Sequence, residues 1–394
     1  MQCDEIKPVC SNCRRRYVNI QSCNWGTKSP GKVSHVSGQF APNEFSESPV
    51  VHAPSEHTSN VARIRLMNFH PSSIASTSRW RSLELRLMYH YGSVVSFTMP
   101  GCNGASKEAW QRTIPQLSFE SELLLNPMLA LSALHLHAHS GNNSEMGLAL
   151  RRYLDRSLAK HRQALSNPDK RLKEQLWLSS VLLSHMYWLL AHQPQPNEPY
   201  EFPLQALRML EGAKVIFKEN NAFLGQQGYG WLGDETLPPV VAEDELSDAS
   251  RTQLRGLEDD LSALMDAFEV LSMTDDRKNV YLEAKEYVLY HYRAFFSGAD
   301  TKTLQRFAGF MAVRCQAGYL NMLKQHDPLA MALMARMLVL LSALDYAWWI
   351  HGKGDYEAID RDIRGIDEIL PSNLRWIMDW PRRVLNKDII LSRD

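Results

Sequence analysis

The chain lacks an unbroken apolar run long enough to cross a bilayer, which takes about 20 residues. Its two most apolar stretches, 176–191 and 331–350, are interrupted by His185 in the first and by Arg336 and Asp345 in the second. Both read as buried helices, and no membrane span is expected. The amino terminus has no charged region followed by an apolar run, so nothing marks the chain for secretion. Cysteine is scarce: of six, four fall within the first 23 residues, while Cys102 and Cys315 stand alone. That distribution excludes a disulfide framework spread through the fold, and the thiols are expected to be reduced or bound to metal. Period-two alternation is nearly missing, which predicts almost no sheet. Also missing are His-Glu-x-x-His, Gly-x-Ser-x-Gly and a phosphate-loop glycine pattern, so the fourteen histidines do not suggest an enzyme.

What is present is an ordinary globular composition, 44% hydrophobic and 22% charged over 394 residues. That length buries one large core or two ordinary ones. The net charge of −1 conceals a division, because residues 1–40 carry +4 and the remainder −5. Residues 1–25 form a cysteine segment. Residues 26–75, rich in Ser, Pro, Gly, Asn and His, have too few apolar positions to offset chain entropy and read as a flexible linker.

From residue 76 the pattern is helical, and the fold class is all-α. Thr77 or Ser78 caps a first helix in which Trp80, Leu83, Leu87, Tyr91, Val94 and Val95 recur at three- and four-residue spacing, closed by Pro100-Gly101. Further helical periodicities cover 123–139, 146–164, 170–190, 204–217, 254–271, 280–296, 304–323, 328–350 and 356–369. The stretch 225–250 breaks this rhythm and ends in Glu243, Asp244, Glu245 and Asp248; it is either a solvated loop or an acidic activation segment. His135, His137 and His139, two apart, are expected to spread around a helix. His185 and His192, seven apart, are expected to share a face, with no carboxylate beside them in sequence.

Cys3, Cys10, Cys13 and Cys23 are separated by six, two and nine residues. A pair two residues apart presents both thiolates to one tetrahedral ion, short loops bring in the outer two, and four thiolates suit zinc. Arg14, Arg15 and Arg16 follow directly; they either meet phosphates, form part of a nuclear import signal, or remain a solvated charge run.

The run from Cys3 to Cys23, with Asp4-Glu5 and Lys7-Pro8 before Cys10, resembles the second part of the fungal Zn(2)-Cys(6) binuclear cluster. In that family six cysteines hold two zinc ions beside a basic helix that enters the DNA major groove. The resemblance makes Cys3, Cys10, Cys13 and Cys23 the third to sixth family cysteines, with Lys7, Arg14, Arg15 and Arg16 as the residues nearest DNA. The first two family cysteines and the basic run would lie upstream of Met1. Either Met1 is an internal methionine of a longer product, or the first zinc-binding helix has been lost. As written, the chain is expected to hold at most one zinc and to bind DNA weakly or not at all.

The larger domain, 76–394, resembles the regulatory domain of zinc-cluster factors of the sterol-uptake-control type. The phrases that carry this are Leu-Arg-Leu-Met-Tyr-His-Tyr at 85–91, Asn-Pro-Met-Leu-Ala-Leu-Ser-Ala-Leu-His at 126–135, Asp-Tyr-Ala-Trp-Trp-Ile-His-Gly at 345–352, and the closing 370–382. The resemblance implies a nuclear regulator of RNA polymerase II transcription, acting on sterol, lipid or secondary-metabolite genes. It further implies an all-helical domain that forms a homodimer and, in some relatives, a hydrophobic pocket that senses a small molecule such as a sterol. Candidate linings are Met186, Trp188, Phe217, Phe295, Phe310, Met334, Trp348 and Trp349, although such residues at helical spacing are more often plain core. The alternative is a ligand-sensing or dimerisation protein made of this domain alone, which does not bind DNA.

Overall fold

Apolar residues at three- and four-residue spacing become helices in the computed structural model. It describes residues 77–100, 104–141, 143–167, 169–193, 200–229, 236–315 and 317–393. Among these residues there is no strand, in keeping with the all-α expectation. All of them belong to one unit, Arg65–Asp394. The cysteine segment and the expected linker lie outside the described residues.

The first hydrophobic core is built by five helices. They are α1 (Thr77–His90), α2 (Gly104–Glu108, continued through a wide π-type turn to Ile114–Glu120), α3 (Glu122–His139), α4 (Ser144–Ser166) and α5 (Lys173–Ala191). α4 is amphipathic: Met146, Ala149, Leu150, Tyr153, Leu154 and Ser157 are buried at helical intervals. Asn143 caps it, its side-chain oxygen accepting from the Glu145 and Met146 amides at 3.0 and 3.3 Å. By contrast α3 and α5 are apolar nearly all round, as central helices must be, and are buried on almost every side.

Helix α6 (Leu204–Glu219) leads to the second core. That core is assembled from α7 (Asp248–Ala267), α8 (Asp275–Phe296), α9 (Thr301–Gly309), α10 (Ala317–Lys324), α11 (Pro328–Ala343), α12 (Ile359–Ile369) and α13 (Asp379–Leu385). Its axis is α11, buried from Leu329 to Leu341. Asp327 starts that helix, accepting from the Ala330 amide at 2.9 Å, with Pro328 directly after it. No single described helix is long and apolar enough to cross a membrane. The pair α10 and α11 passes on composition only if taken together, and it is bent by 102°.

Several boundaries depart from the sequence pattern, three of them where the chain breaks or bends. Helix α2 was not among the expected periodicities; it contains Gly104 and Pro115, breakers by propensity. Pro115 follows the wide turn at Ala109–Thr113, where the regular hydrogen-bond ladder is already shifted. The expected helix 304–323 is divided at Phe310 and again after Cys315, which is extended. The expected helix 328–350 ends at Ala343, because Leu344 is extended, and resumes only as the turn Trp348–His351.

That last break has a packing cause. Trp348 is buried in the first core, whereas its neighbours Trp349 and Ile350 are buried in the second. Adjacent residues serve two cores, so the turn joins them. Gly352 then has φ 68°, and a Cβ there would stand 1.7 Å from the Tyr356 carbonyl oxygen, so only glycine fits.

A second joint lies at the end of α5. His192 donates from Nδ1 to the Trp188 carbonyl at 2.6 Å, and its Nε2 meets Asp362 of α12 at 2.7 Å. The Tyr200 hydroxyl donates to the same Asp362 oxygen at 2.7 Å, and the carboxylate is fully buried. The Tyr200 ring lies flat against Gly365, where a Cβ would come within 2.2 Å of it. Gly365→Ala is therefore expected to displace the ring and cost about 2 kcal/mol by overpacking. Urea unfolding checks this: the loss should shrink when Tyr200→Ala is added, since the two changes share one contact.

Candidate functional site

An apolar concavity lies where the two cores meet. Ser184, His185 and Trp188 of α5 form one wall, and residues of α6, α9, α11 and the Trp349–Ile350 turn form the others. About 610 Å³ lies between these walls, counting the part open to solvent, and little of it is wide enough for a water-sized sphere. The cleft is narrow as it stands. Met311 and Met334 are among its linings, and thioether side chains repack at low cost.

Of the candidate linings named from sequence, Trp188, Phe310, Met334 and Trp349 meet here. The other four do not. Met186 and Trp348 are buried in the first core, Phe217 stacks at its edge with a centroid distance of 5.3 Å to Trp177, and Phe295 is buried in the second core. Phe202, Leu207 and Met311 line the cleft without having been singled out. Their spacing marks a buried face and says nothing of which helix that face meets.

His185, read from sequence only as sharing a face with His192, is a polar residue of the cleft wall. Its Nδ1 lies 2.7 Å from the Val181 carbonyl, which can only accept, so Nδ1 carries the hydrogen and Nε2 a lone pair. That Nε2 is buried and has no partner. Burial pushes the imidazole down to about 4, against the opposing effect of the Val181 bond. The ring stands edge-on to Trp349 with centroids 5.0 Å apart. The other polar groups of the cleft are already used: Ser184 donates to Val181 O at 2.7 Å, and Trp188 Nε1 donates across the joint to Ile350 O at 2.8 Å.

One expectation about the histidines needs correction. His135 and His139 are not spread apart: being four residues apart they share a face of α3, and their rings stack at 4.0 Å. His90 of α1 joins them, its Nε2 3.1 Å from His135 Nδ1, and Trp348 covers the group 4.7 Å from His135. Burial, with the neighbouring His139, His90 and Lys353, lowers His135 to about 3. His192, with no carboxylate beside it in sequence, meets one 170 residues away in Asp362, while His185 lines the cleft. Among the described residues no three His, Cys, Asp or Glu side chains are placed to hold a metal ion. Cys3, Cys10, Cys13, Cys23, Lys7, Arg14, Arg15 and Arg16 lie outside the described residues.

Residues 86–192, from the middle of α1 to the His192 joint, match the fungal specific transcription factor domain. The chain's likeness to a Zn(2)-C6 fungal-type transcription factor of Gibberella zeae runs over 98% of the chain and 83% of the relative, at 22% identity. The Zn(2)-C6 fungal-type transcription factor afumD of Aspergillus fumigatus is 24% identical over 55% of the chain and 51% of its own length. Sterol uptake control protein 2 of Candida albicans is 30% identical over 37% of the chain and 20% of its own length. The chain thus spans about half the length of the second and a fifth of the third. A zinc-cluster domain is not matched. The fungal transcription factor domain gives the chain a regulatory role, and its relatives are transcription factors, a class that is not enzymatic.

Proposed function

We propose that this chain is a nuclear, zinc-dependent regulator of RNA polymerase II transcription whose helical domain responds to a hydrophobic small molecule, such as a sterol, held in the cleft between its two cores. The observation that carries this reading is the position of the domain match. It ends at His192 and so includes the α5 wall of the cleft, with His185 and Trp188. A domain that regulates transcription and also forms one side of an apolar cleft couples occupancy to the packing of the second core. The genes concerned would serve sterol or lipid handling or secondary metabolism, and the domain would act as a homodimer. The activation role of Glu243 to Asp248 belongs to the same proposal; Arg251 and Arg255 hydrogen-bond to that segment.

The test is a reporter assay with the full chain fused to an unrelated DNA-binding module in a fungal host. Reporter output should change by several-fold on tethering, and shortening α5 should abolish the change. Unchanged output from a folded fusion would remove the regulatory reading of the helical domain.

Zinc belongs to the amino-terminal cysteines in this reading. Four thiolates are a donor set that zinc accepts, and the Gibberella relative's likeness extends over nearly all of the chain. Arg14, Arg15, Arg16 and Lys7 would supply phosphate contacts of low, salt-sensitive affinity. Purified chain is expected to retain about one zinc, by the four-ligand rule, and Cys10→Ser with Cys13→Ser to retain far less. Metal analysis with cobalt substitution checks this, since tetrahedral thiolate coordination has its own absorption. Two tightly held ions would contradict the ligand count.

A further inference from the structure

We propose that His185 Nε2 is the polar anchor of the cleft and selects apolar ligands bearing a hydroxyl group. This rests on the cleft being a ligand site, as argued above, and adds which chemistry it takes. The Val181 carbonyl occupies Nδ1 and dictates the tautomer, so Nε2 can only accept. It is buried, unpartnered and set in the wall of the cleft. A buried acceptor without a donor is costly, and a ligand that supplies the donor removes that cost.

The rest of the lining narrows the class further. No charged side chain lines the cleft among the described residues, so an ammonium or carboxylate group would enter without a counter-charge. An ether or ketone of the same shape would set its oxygen lone pairs against that of Nε2. A neutral alcohol with an apolar body satisfies both the walls and the nitrogen. Its body must part the walls, since little of the cleft is wide enough for a water-sized sphere. Met311 and Met334 are the side chains suited to yield. Specificity of this kind, a hydrogen-bonding group rejecting the analogue that lacks the donor, discriminates more strongly than apolar shape alone.

The test titrates the full chain with four probes, following tryptophan fluorescence from Trp188 and Trp349. The probes are 1-decanol, decyl methyl ether, ergosterol and ergosteryl methyl ether, so a linear and a polycyclic body are each offered with and without the hydroxyl donor. At least one alcohol should bind about tenfold more tightly than its ether, as a recovered buried hydrogen bond allows. His185→Phe, which keeps the ring volume, should equalise the pair. In the wild type the 15N resonance of His185 Nε2 should shift on binding the alcohol and stay in place with the ether, a readout that does not depend on the variant folding. Equal affinities in the wild type, or discrimination that survives His185→Phe, would overturn the anchor and leave the cleft as a ligand site. No saturable change with any probe would overturn both.

Discussion

Asp260→Ala is expected to destabilise the protein by about 4 kcal/mol, the usual cost of leaving one partner of a buried ion pair uncompensated. Arg336 lies in the middle of α11 and is fully buried. Its Nε and Nη2 reach Asp260 of α7 at 2.6 and 2.8 Å in the bidentate geometry that suits a guanidinium and a carboxylate. The remaining donors go to the Ala332 and Ile377 carbonyls at 2.8 and 3.1 Å, and Tyr292 donates to the Arg336 carbonyl at 2.8 Å. The Arg336 side chain thus ties α7 and the segment before α13 to the central helix, and its backbone carbonyl ties α8. Without Asp260, which is itself about one-fifth exposed, the two carbonyls cannot neutralise the buried guanidinium. Arg336→Met combined with Asp260→Leu should recover most of the loss, because an apolar pair needs no partner. Denaturant unfolding decides: a loss under about 1 kcal/mol for Asp260→Ala would mean that the pair is solvated.

The second large effect is acid instability. His135, His185 and His291 are buried and are pushed down to about 3, 4 and 4. For His291 the cause is burial, with Arg314 adding to it; its Nδ1 donates to the Tyr287 carbonyl at 2.6 Å and its Nε2 is unpartnered. A histidine held below its unfolded value of 6.5 takes up a proton on unfolding. The folded state is therefore at full strength above pH 6.5 and loses ground as pH falls toward 4, and toward 3 for His135. At pH 5 each group costs about 2 kcal/mol relative to pH 8, or about 6 kcal/mol together, a sum comparable with the whole stability of many domains. Cooperative unfolding between pH 6 and 4.5, followed by far-ultraviolet circular dichroism, is the expected result. His185→Phe and His291→Phe should each move the midpoint to lower pH. A protein as stable at pH 5 as at pH 8 would show that these rings reach solvent in the folded state.

The histidines also show where sequence reading stops. Positions 135 and 139 are four apart, so their meeting on α3 was legible from helical periodicity, and counting in steps of two concealed it. The arrival of His90 was not legible, since that depends on how α1 packs on α3. For His185 the i−4 carbonyl bond is local, yet the empty Nε2 exists only because α9, α11 and the Trp349 turn close round it without offering a donor. The cleft was legible to a similar degree: four of eight candidate linings were right, because burial was readable and the direction of burial was not. Helix α2 went unseen; Gly104 and Pro115 are breakers by propensity, and tertiary packing of Trp110 and Ile114 outweighed that.

By itself the sequence determined that the chain is helical, that α5 and α11 are buried, and that four cysteines gather at one end, since periodicity and composition are properties of neighbours along the chain. It also announced the buried charge of Arg336 as an interruption in an apolar run. Which carboxylate answers that charge, which one meets His192, and which core takes Trp348 and which Trp349 were decided by tertiary structure alone. The partners lie 76 residues apart in the first case and 170 in the second. A repeat of 3.6 residues says which face of a helix is turned inward, but the identity of the opposing surface comes only from the packing of the whole.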